Sequence, residues 1–253
     1  MTWATQRRLT ILLILGAIII AFLAVVLIAA FSKTPSCSDG IQNQDEAGID
    51  CGGVCAYLCV AEVQPPTVLF TKAINNGVGR IDVVALVENK NATAAAKNVP
   101  YRITLYDNKG IFIKAIDGFV DLPPRVRMPV YVSGAASGSK VSTAFLEIAA
   151  AAPQWFTMRA DPRAIPTVVS TTGGGDKNAP RVEAVLANPS AQTLSNIRAI
   201  VLISDSGKSV IATSETVLPT LFAGGQATAV FTWGSAFDGV PSSIEVLPVI
   251  QLP

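Results

Sequence analysis

The sequence predicts a mainly β protein with an N-terminal transmembrane helix, a small disulfide-stapled module and two tandem β-sandwiches. Three observations carry this reading. Residues 9–31 form an unbroken apolar run, all four cysteines of the chain fall within residues 37–59, and the remainder reads twice through the same succession of short strands and turns.

Leu9–Phe31 (LTILLILGAIIIAFLAVVLIAAF) contains no charged side chain. At about 1.5 Å of rise per residue a helix of this length crosses a hydrocarbon core of roughly 30 Å. Arg7 and Arg8 precede it and an acid-rich segment follows. The positive-inside rule therefore keeps residues 1–8 in the cytoplasm, makes the chain single-pass in the cell membrane, and exports everything after Ser32. Ala30-Phe31-Ser32 offers a small-x-small cleavage site, but the run exceeds the roughly 7–15 apolar residues of a signal peptide, and a retained anchor is expected.

Composition narrows the chemistry of the exported part. The chain has no histidine, which removes Ser-His-Asp and Cys-His catalysis and every His-containing zinc site. Residues 37–62 carry Asp39, Asp45, Glu46, Asp50 and Glu62 with no Lys or Arg. The 19 basic residues of the chain, less Arg7, Arg8 and Lys33, leave sixteen beyond residue 62 against thirteen acids, with no basic stripe. No nucleic-acid partner is expected from that distribution.

Residues 32–62 read as a cysteine-rich acidic module. In an exported segment too short to bury a core, Cys37, Cys51, Cys55 and Cys59 are expected to form two disulfides. Three pairings are open; Cys37–Cys51 with Cys55–Cys59 is attractive because it draws Asp39 and Asp50 together. The oxygen donors Asp39, Asn43, Asp45, Glu46 and Asp50 suit a hard cation, so Ca2+ is the candidate cofactor. The loop is no EF-hand, since Ile41 and Gln44 stand where that motif needs a ligand and a glycine. The competing readings are a solvated acidic turn held by the disulfides and zinc held by four thiolates, which an oxidising compartment disfavours.

With those residues in view, the segment resembles a short motif of exported prokaryotic surface proteins, C-x-D-G-x-x-N-x-x-E-x-x-x-D-C-G-G-x-C. Cys37, Asp39, Gly40, Asn43, Glu46, Asp50, Cys51, Gly52, Gly53 and Cys55 all match. The resemblance implies an extracellular module and no activity; Cys59 falls one residue later than in related forms. Residues 63–66, with Pro65-Pro66, are expected to be a stiff linker that holds the first domain off this module.

Two domains follow, residues 67–150 and 151–253. IDVVALVENKNATAAAKNVPYRITLYDNKG (81–110) lies over VEAVLANPSAQTLSNIRAIVLISDSG (182–207), with Asn89 on Asn188, Val99 on Ile197, Asp107 on Asp205 and Gly110 on Gly207. Leu122-Pro123 is set on Leu218-Pro219, which makes the chain an internal tandem repeat. Val99, Tyr101, Ile103 and Leu105 alternate with polar neighbours, as do Ile197, Ala199, Val201 and Ile203, the period of a sheet with one buried face. Asp107–Gly110 and Asp205–Gly207 read as hairpin turns. Thr172–Lys177 lacks the P-loop pattern and is expected to be a flexible loop. Asn91-Ala92-Thr93 is a formal glycosylation acceptor in a surface loop, and Trp155, Phe156, Trp233 and Phe237 are aromatics that either fill cores or stack on sugars.

The order strand, Asn, Asn-Val/Ile, strand ending Leu105-Tyr106-Asp107, Gly110, then Leu-Pro and glycine resembles the FxLYD family of bacterial envelope domains. The second copy keeps Asp205 and Gly207 but reads Ile203-Ser204 for Leu-Tyr. The resemblance implies immunoglobulin-like sandwiches without a catalytic centre. The expected function is therefore a membrane-anchored, exported cell-envelope protein that binds or scaffolds an envelope protein or wall partner, not an enzyme. The alternative is a carboxylate-based envelope enzyme or an accessory subunit of a carbohydrate-processing complex, which needs two carboxyl groups facing across a groove.

Overall fold

A computed structural model describes residues 3–31, 36–77, 79–138, 141–149, 153–158, 165–249 and 251–252. The chain divides into two compact units, Met1–Cys55 and Ala56–Pro253.

In the first unit, helix α1 spans Trp3–Phe31. It begins six residues before the apolar run, because Thr5, Gln6, Arg7 and Arg8 are tolerated in a helix and Arg7 stacks over the Trp3 ring. Thr5–Ile28 is long and apolar enough to cross a membrane, and none of it is buried against the protein. Residues 36–55 are a turn-rich segment without regular strands.

The second unit is built of antiparallel strands in two sandwiches, as the alternation predicts. The first sandwich comprises β1 (Thr67–Asn75), β2 (Arg80–Asn89), β3 (Ala94–Asp107), β4 (Phe112–Leu122), β5 (Val126–Ser137), β6 (Val141–Ile148) and β7 (Trp155–Thr157). The sheet β1-β2-β5 faces the sheet β4-β3-β6, to which β7 adds by pairing with β3. Val83, Ala85, Val87, Ile103, Leu105, Leu122, Met128 and Trp155 are among the residues that fill the space between them. The second sandwich comprises β8 (Thr167–Asp176), β9 (Ala179–Ala187), β10 (Leu194–Ser204), β11 (Val210–Leu221), β12 (Gln226–Thr232) and β13 (Ser243–Val249). Here β12-β9-β8 faces β11-β10-β13 around Leu186, Ile203, Leu221, Phe231 and Trp233.

A third apolar layer joins the sandwiches. Ile74 and Val84 of the first meet Ile200, Leu202 and Val210 of the second, with Phe70, Tyr131, Leu247 and Val249 at the margin. Strands β2 and β10 are thus buried on both faces, which explains the continuous apolar runs Val83–Val87 and Ala199–Ile203. Polar contacts fasten the edges of this junction: Arg127 Nη2 donates to Glu245 Oε1 (2.7 Å), and the Leu252 N–H donates to Asp121 Oδ2 (2.7 Å).

The repeat is real in atomic detail. Asn89 Nδ2 donates to the carbonyls of Ala94, Leu122 and Pro123, and Asn188 Nδ2 to those of Gln192, Leu221 and Phe222. Each Oδ1 accepts the N–H two residues on, from Asn91 and Ser190. Both asparagines are buried, and each satisfies carbonyls that its sheet leaves unpaired at a strand end. Asn98 and Asn196 share a left-handed backbone, φ 51° and 53°, one of the few conformations Asn adopts more readily than other side chains. Asp107 Oδ1 caps the N–H groups of Lys109 and Ile111, and Asp205 Oδ1 that of Ser209.

Several expectations are corrected. Leu122-Pro123 corresponds to Leu221-Phe222, the pair that accepts from Asn188, and not to Leu218-Pro219, because Pro219 lies inside β11 while Pro123 follows the end of β4. A boundary at 150/151 lies outside the described residues, but Trp155–Thr157, assigned by sequence to the second domain, completes a sheet of the first. Residues 63–66 are no free spacer: Val63 packs on the first core, and Gln64 exchanges hydrogen bonds with the Asn91 side chain in both directions. The module also ends earlier than residue 62. Tyr57 bridges Phe156, and the Leu58 N–H donates to the Trp155 carbonyl (2.8 Å), so the chain enters the sandwich just past Cys55.

Candidate functional site

The cysteine module is held from within. Cys37 bonds Cys55, and Cys51 and Cys59 are disulfide-bonded as well, so no cysteine is free. The Cys37–Cys51 pairing is overturned. Asp39 and Asp50 need no disulfide between their neighbours, since Asp50 accepts the N–H groups of Asp39 (3.0 Å) and Gly40 (2.9 Å to Oδ2) directly. With every sulfur in a disulfide, four-thiolate zinc is ruled out too.

Each acid and amide of the motif has a place in this scaffold. Asp39 accepts the Ile41 N–H on Oδ1 and the Asn43 Nδ2 on Oδ2 (2.8 Å). Glu46, only 7% exposed, accepts the N–H groups of Asn43 and Asp50 on Oε2, while its Oε1 lies 3.2 Å from the Cys55 sulfur. Gly53 has φ 59°, and a Cβ there would collide with the Asp45 carbonyl, so glycine is obligatory on two counts. Asp45 is exposed. Among the described residues, the one group of three carboxylate or cysteine ligand atoms within 4.8 Å is Cys37, Glu46 and Cys55, and its two sulfurs are already bonded to each other. Asn43 Oδ1 is buried with no hydrogen-bond partner among the described residues.

The sandwiches dispose of other sequence candidates. Trp155 and Trp233 are core residues of different sandwiches; Trp233 Nε1 donates to the Thr213 carbonyl (3.1 Å) and its ring meets Phe237 edge-on. They form no sugar-stacking face. Asn91 is buried, and its Nδ2 is bonded to the Gln64 carbonyl and to Asn89 Oδ1, so the acceptor nitrogen is inaccessible in the folded chain. Thr172–Gly175 is not a loop: it is the second half of strand β8.

Surfaces that sequence reasoning did not single out are more informative. Every residue of β8 is exposed, and β8 ends its sheet with only β9 beside it. On the outer face of β4-β3-β6, Tyr106 meets Phe112 and Phe145 edge-on at 6.3 and 6.0 Å, and both phenylalanines are exposed. A shallow groove nearby brings Asp117 and Glu147 beside Arg102. Arg102 grips Asp117 through Nε (2.7 Å) and Nη2 (3.1 Å), and this hydrogen bond holds the Asp117 carboxyl below its ordinary value. The second sandwich repeats the device with Arg198 and Glu215, half-buried, at 2.6 and 3.0 Å.

Asp82 is fully buried. It accepts from the Gly134 N–H (2.8 Å), Tyr131 Oη (2.7 Å), Asn76 and Arg80. Burial first, then the bond to Asp82, push the Tyr131 phenol far above its ordinary value. Four donors on one carboxylate mark a structural anchor for the β1–β2 turn and the β5 bend.

No family model matches the sequence, and no curated protein matches it. The residues therefore carry the functional argument alone.

Proposed function

We propose that this is a single-pass cell-envelope protein, N-terminus cytoplasmic, whose exported double sandwich binds or scaffolds another envelope protein rather than catalysing a reaction. The observation that carries the reading is β8. An exposed strand of ten residues whose only charge is the terminal Asp176 offers a row of N–H and C=O groups to an extended segment of a partner. Natural sheets usually guard such an edge with lysine, proline or a covering element, and among the described residues β8 has none of these. The apolar helix supplies the attachment, and the arginines before it supply the orientation.

Site-specific photo-crosslinking from Val169 in intact cells tests this. A discrete adduct that disappears when Thr172→Lys and Ser170→Lys place charges on the edge is expected; absence of any adduct would remove the strand-addition reading. Protease protection of the N-terminus, with the sandwiches digested from outside, checks the topology.

A second reading concerns calcium at the module, favoured by the buried, unbonded Asn43 Oδ1 beside Asp39. Calcium would take this oxygen together with carboxylates of the acidic loop, drawn from Asp39, Asp45, Glu46 and Asp50. The purified chain should then melt higher in calcium than in chelator with its disulfides intact, and an unchanged melting curve would dispose of the site.

A further inference from the structure

The two sandwiches enclose between them a crevice of about 410 Å3. Its volume and its place at a domain junction are those of a small-molecule site. The floor is apolar, made by Met128 and Val130 of β5. One wall carries Tyr101 and Phe119 of the first sandwich, and the opposite wall carries Arg198 of the second. Phe119 is 71% exposed, a ring in the lining that a flat ligand would cover.

Two features set the chemistry of the occupant. Glu215 holds Arg198 through Nε and Nη2, which fixes the plane of the guanidinium and leaves Nη1 for a ligand. Lys97 also lies in the lining, with an interaction of its own. The one acid there, Asp121, has its oxygens committed to backbone, accepting from the Asn98 N–H on Oδ1 (2.8 Å) and the Leu252 N–H on Oδ2. Among the described residues the lining therefore presents the oriented Arg198 guanidinium and no uncommitted carboxylate. The first sandwich provides a contrast: its own arginine–carboxylate pair, Arg102–Asp117, is exposed to solvent.

We propose that the inter-sandwich crevice binds a small carboxylate-bearing molecule, a sugar acid or the carboxylate of a short peptide, with Arg198 taking the carboxylate and Phe119 covering the apolar face. The site rests on neither the β8 edge nor the acidic module, so each can fail without the other.

Full-length protein in lipid nanodiscs, titrated calorimetrically with glucuronate, glucose, N-acetylalanine and N-acetylalaninamide, tests the proposal. One acid should bind about tenfold or more tighter than its neutral counterpart, as expected for a charge-assisted hydrogen bond, and the two acids distinguish sugar from peptide. The double variant Arg198→Gln/Glu215→Gln keeps a neutral pair and should lose that preference, and Phe119→Ala, at an exposed position, should weaken binding of the preferred acid. Arg102→Gln/Asp117→Gln should bind as the parent does. Equal affinity for acids and neutral counterparts, no binding of any probe, or undiminished acid preference in the Arg198 variant would overturn the assignment.

Discussion

Strands β1 and β8 open the two sandwiches in the same way, each pairing only with the strand that follows it. Their surroundings differ completely. Phe70 and Ile74 of β1 pack in the layer between the sandwiches, and Thr71 Oγ1 accepts the N–H of Leu146 from β6. Strand β8 is exposed at every residue. Two arginine pairs, at positions that the repeat does not superpose, differ likewise: Arg198–Glu215 is half-buried at the junction while Arg102–Asp117 faces solvent. A repeated sequence reproduces local bonding; docking decides what each copy offers to others.

The largest effects should come from the layer that separates these environments. Ile200→Ala leaves a cavity between the sandwiches and should cost roughly 2–5 kcal/mol, whereas Val169→Ala on β8 should change stability by less than about 0.5 kcal/mol. Urea unfolding of both variants measures the contrast, and equal costs would break it.

Next in size are the buried amides. Asn89→Ala and Asn188→Ala each strand several carbonyls and should lose about 2–3 kcal/mol. The first variant should also loosen residues 63–66, because Asn91 and Gln64 depend on Asn89 Oδ1, and limited proteolysis there should show it. The second variant has no such neighbour to release.

Smaller still is the difference between the two ion pairs. A double-mutant cycle should find Arg198–Glu215 more strongly coupled and less salt-sensitive than Arg102–Asp117, since the half-buried pair is less screened. Equal coupling would mean that the junction adds nothing to the device.

The smallest effect is a titration. Arg102 depresses the Asp117 carboxyl, so the pair's stabilisation is present above the ordinary carboxylate range and is lost as pH falls through the lowered value. Carbon-detected NMR should place Asp117 below an ordinary aspartate, and Arg102→Gln should return it to that range.

Much of the candidate site was legible and some was not. The module's acids and glycines stand out because a short loop must satisfy its N–H groups with nearby carboxylates, as Asp39, Glu46 and Asp50 do. The same residues invited a calcium reading because oxygen donors look alike whether they face an ion or a backbone. Disulfide pairing was not legible: three connectivities share one spacing, and the path of the loop between Asp39 and Asp50 selects Cys37–Cys55. The edge β8 was hidden behind its glycines, which read as loop punctuation although Gly173 and Gly174 pair in register with Val182 and Arg181. A usable signal for the junction was present in Val83–Val87 and Ala199–Ile203, where apolar residues cease to alternate because both faces are covered.

By itself the sequence determined what depends on neighbours along the chain: the apolar helix, the alternating strands, the asparagine and aspartate turns, and the existence of two copies. Periodicity and turn chemistry act over a few residues, so they survive in the linear text. Tertiary structure decided which face of each copy is covered, that Trp155–Thr157 joins a sheet of the first sandwich, that β8 is exposed throughout while β1 is partly covered, and that Arg198 shares a crevice with Tyr101 and Phe119. A period of two states that a strand has two faces. It does not state what will lie against either of them.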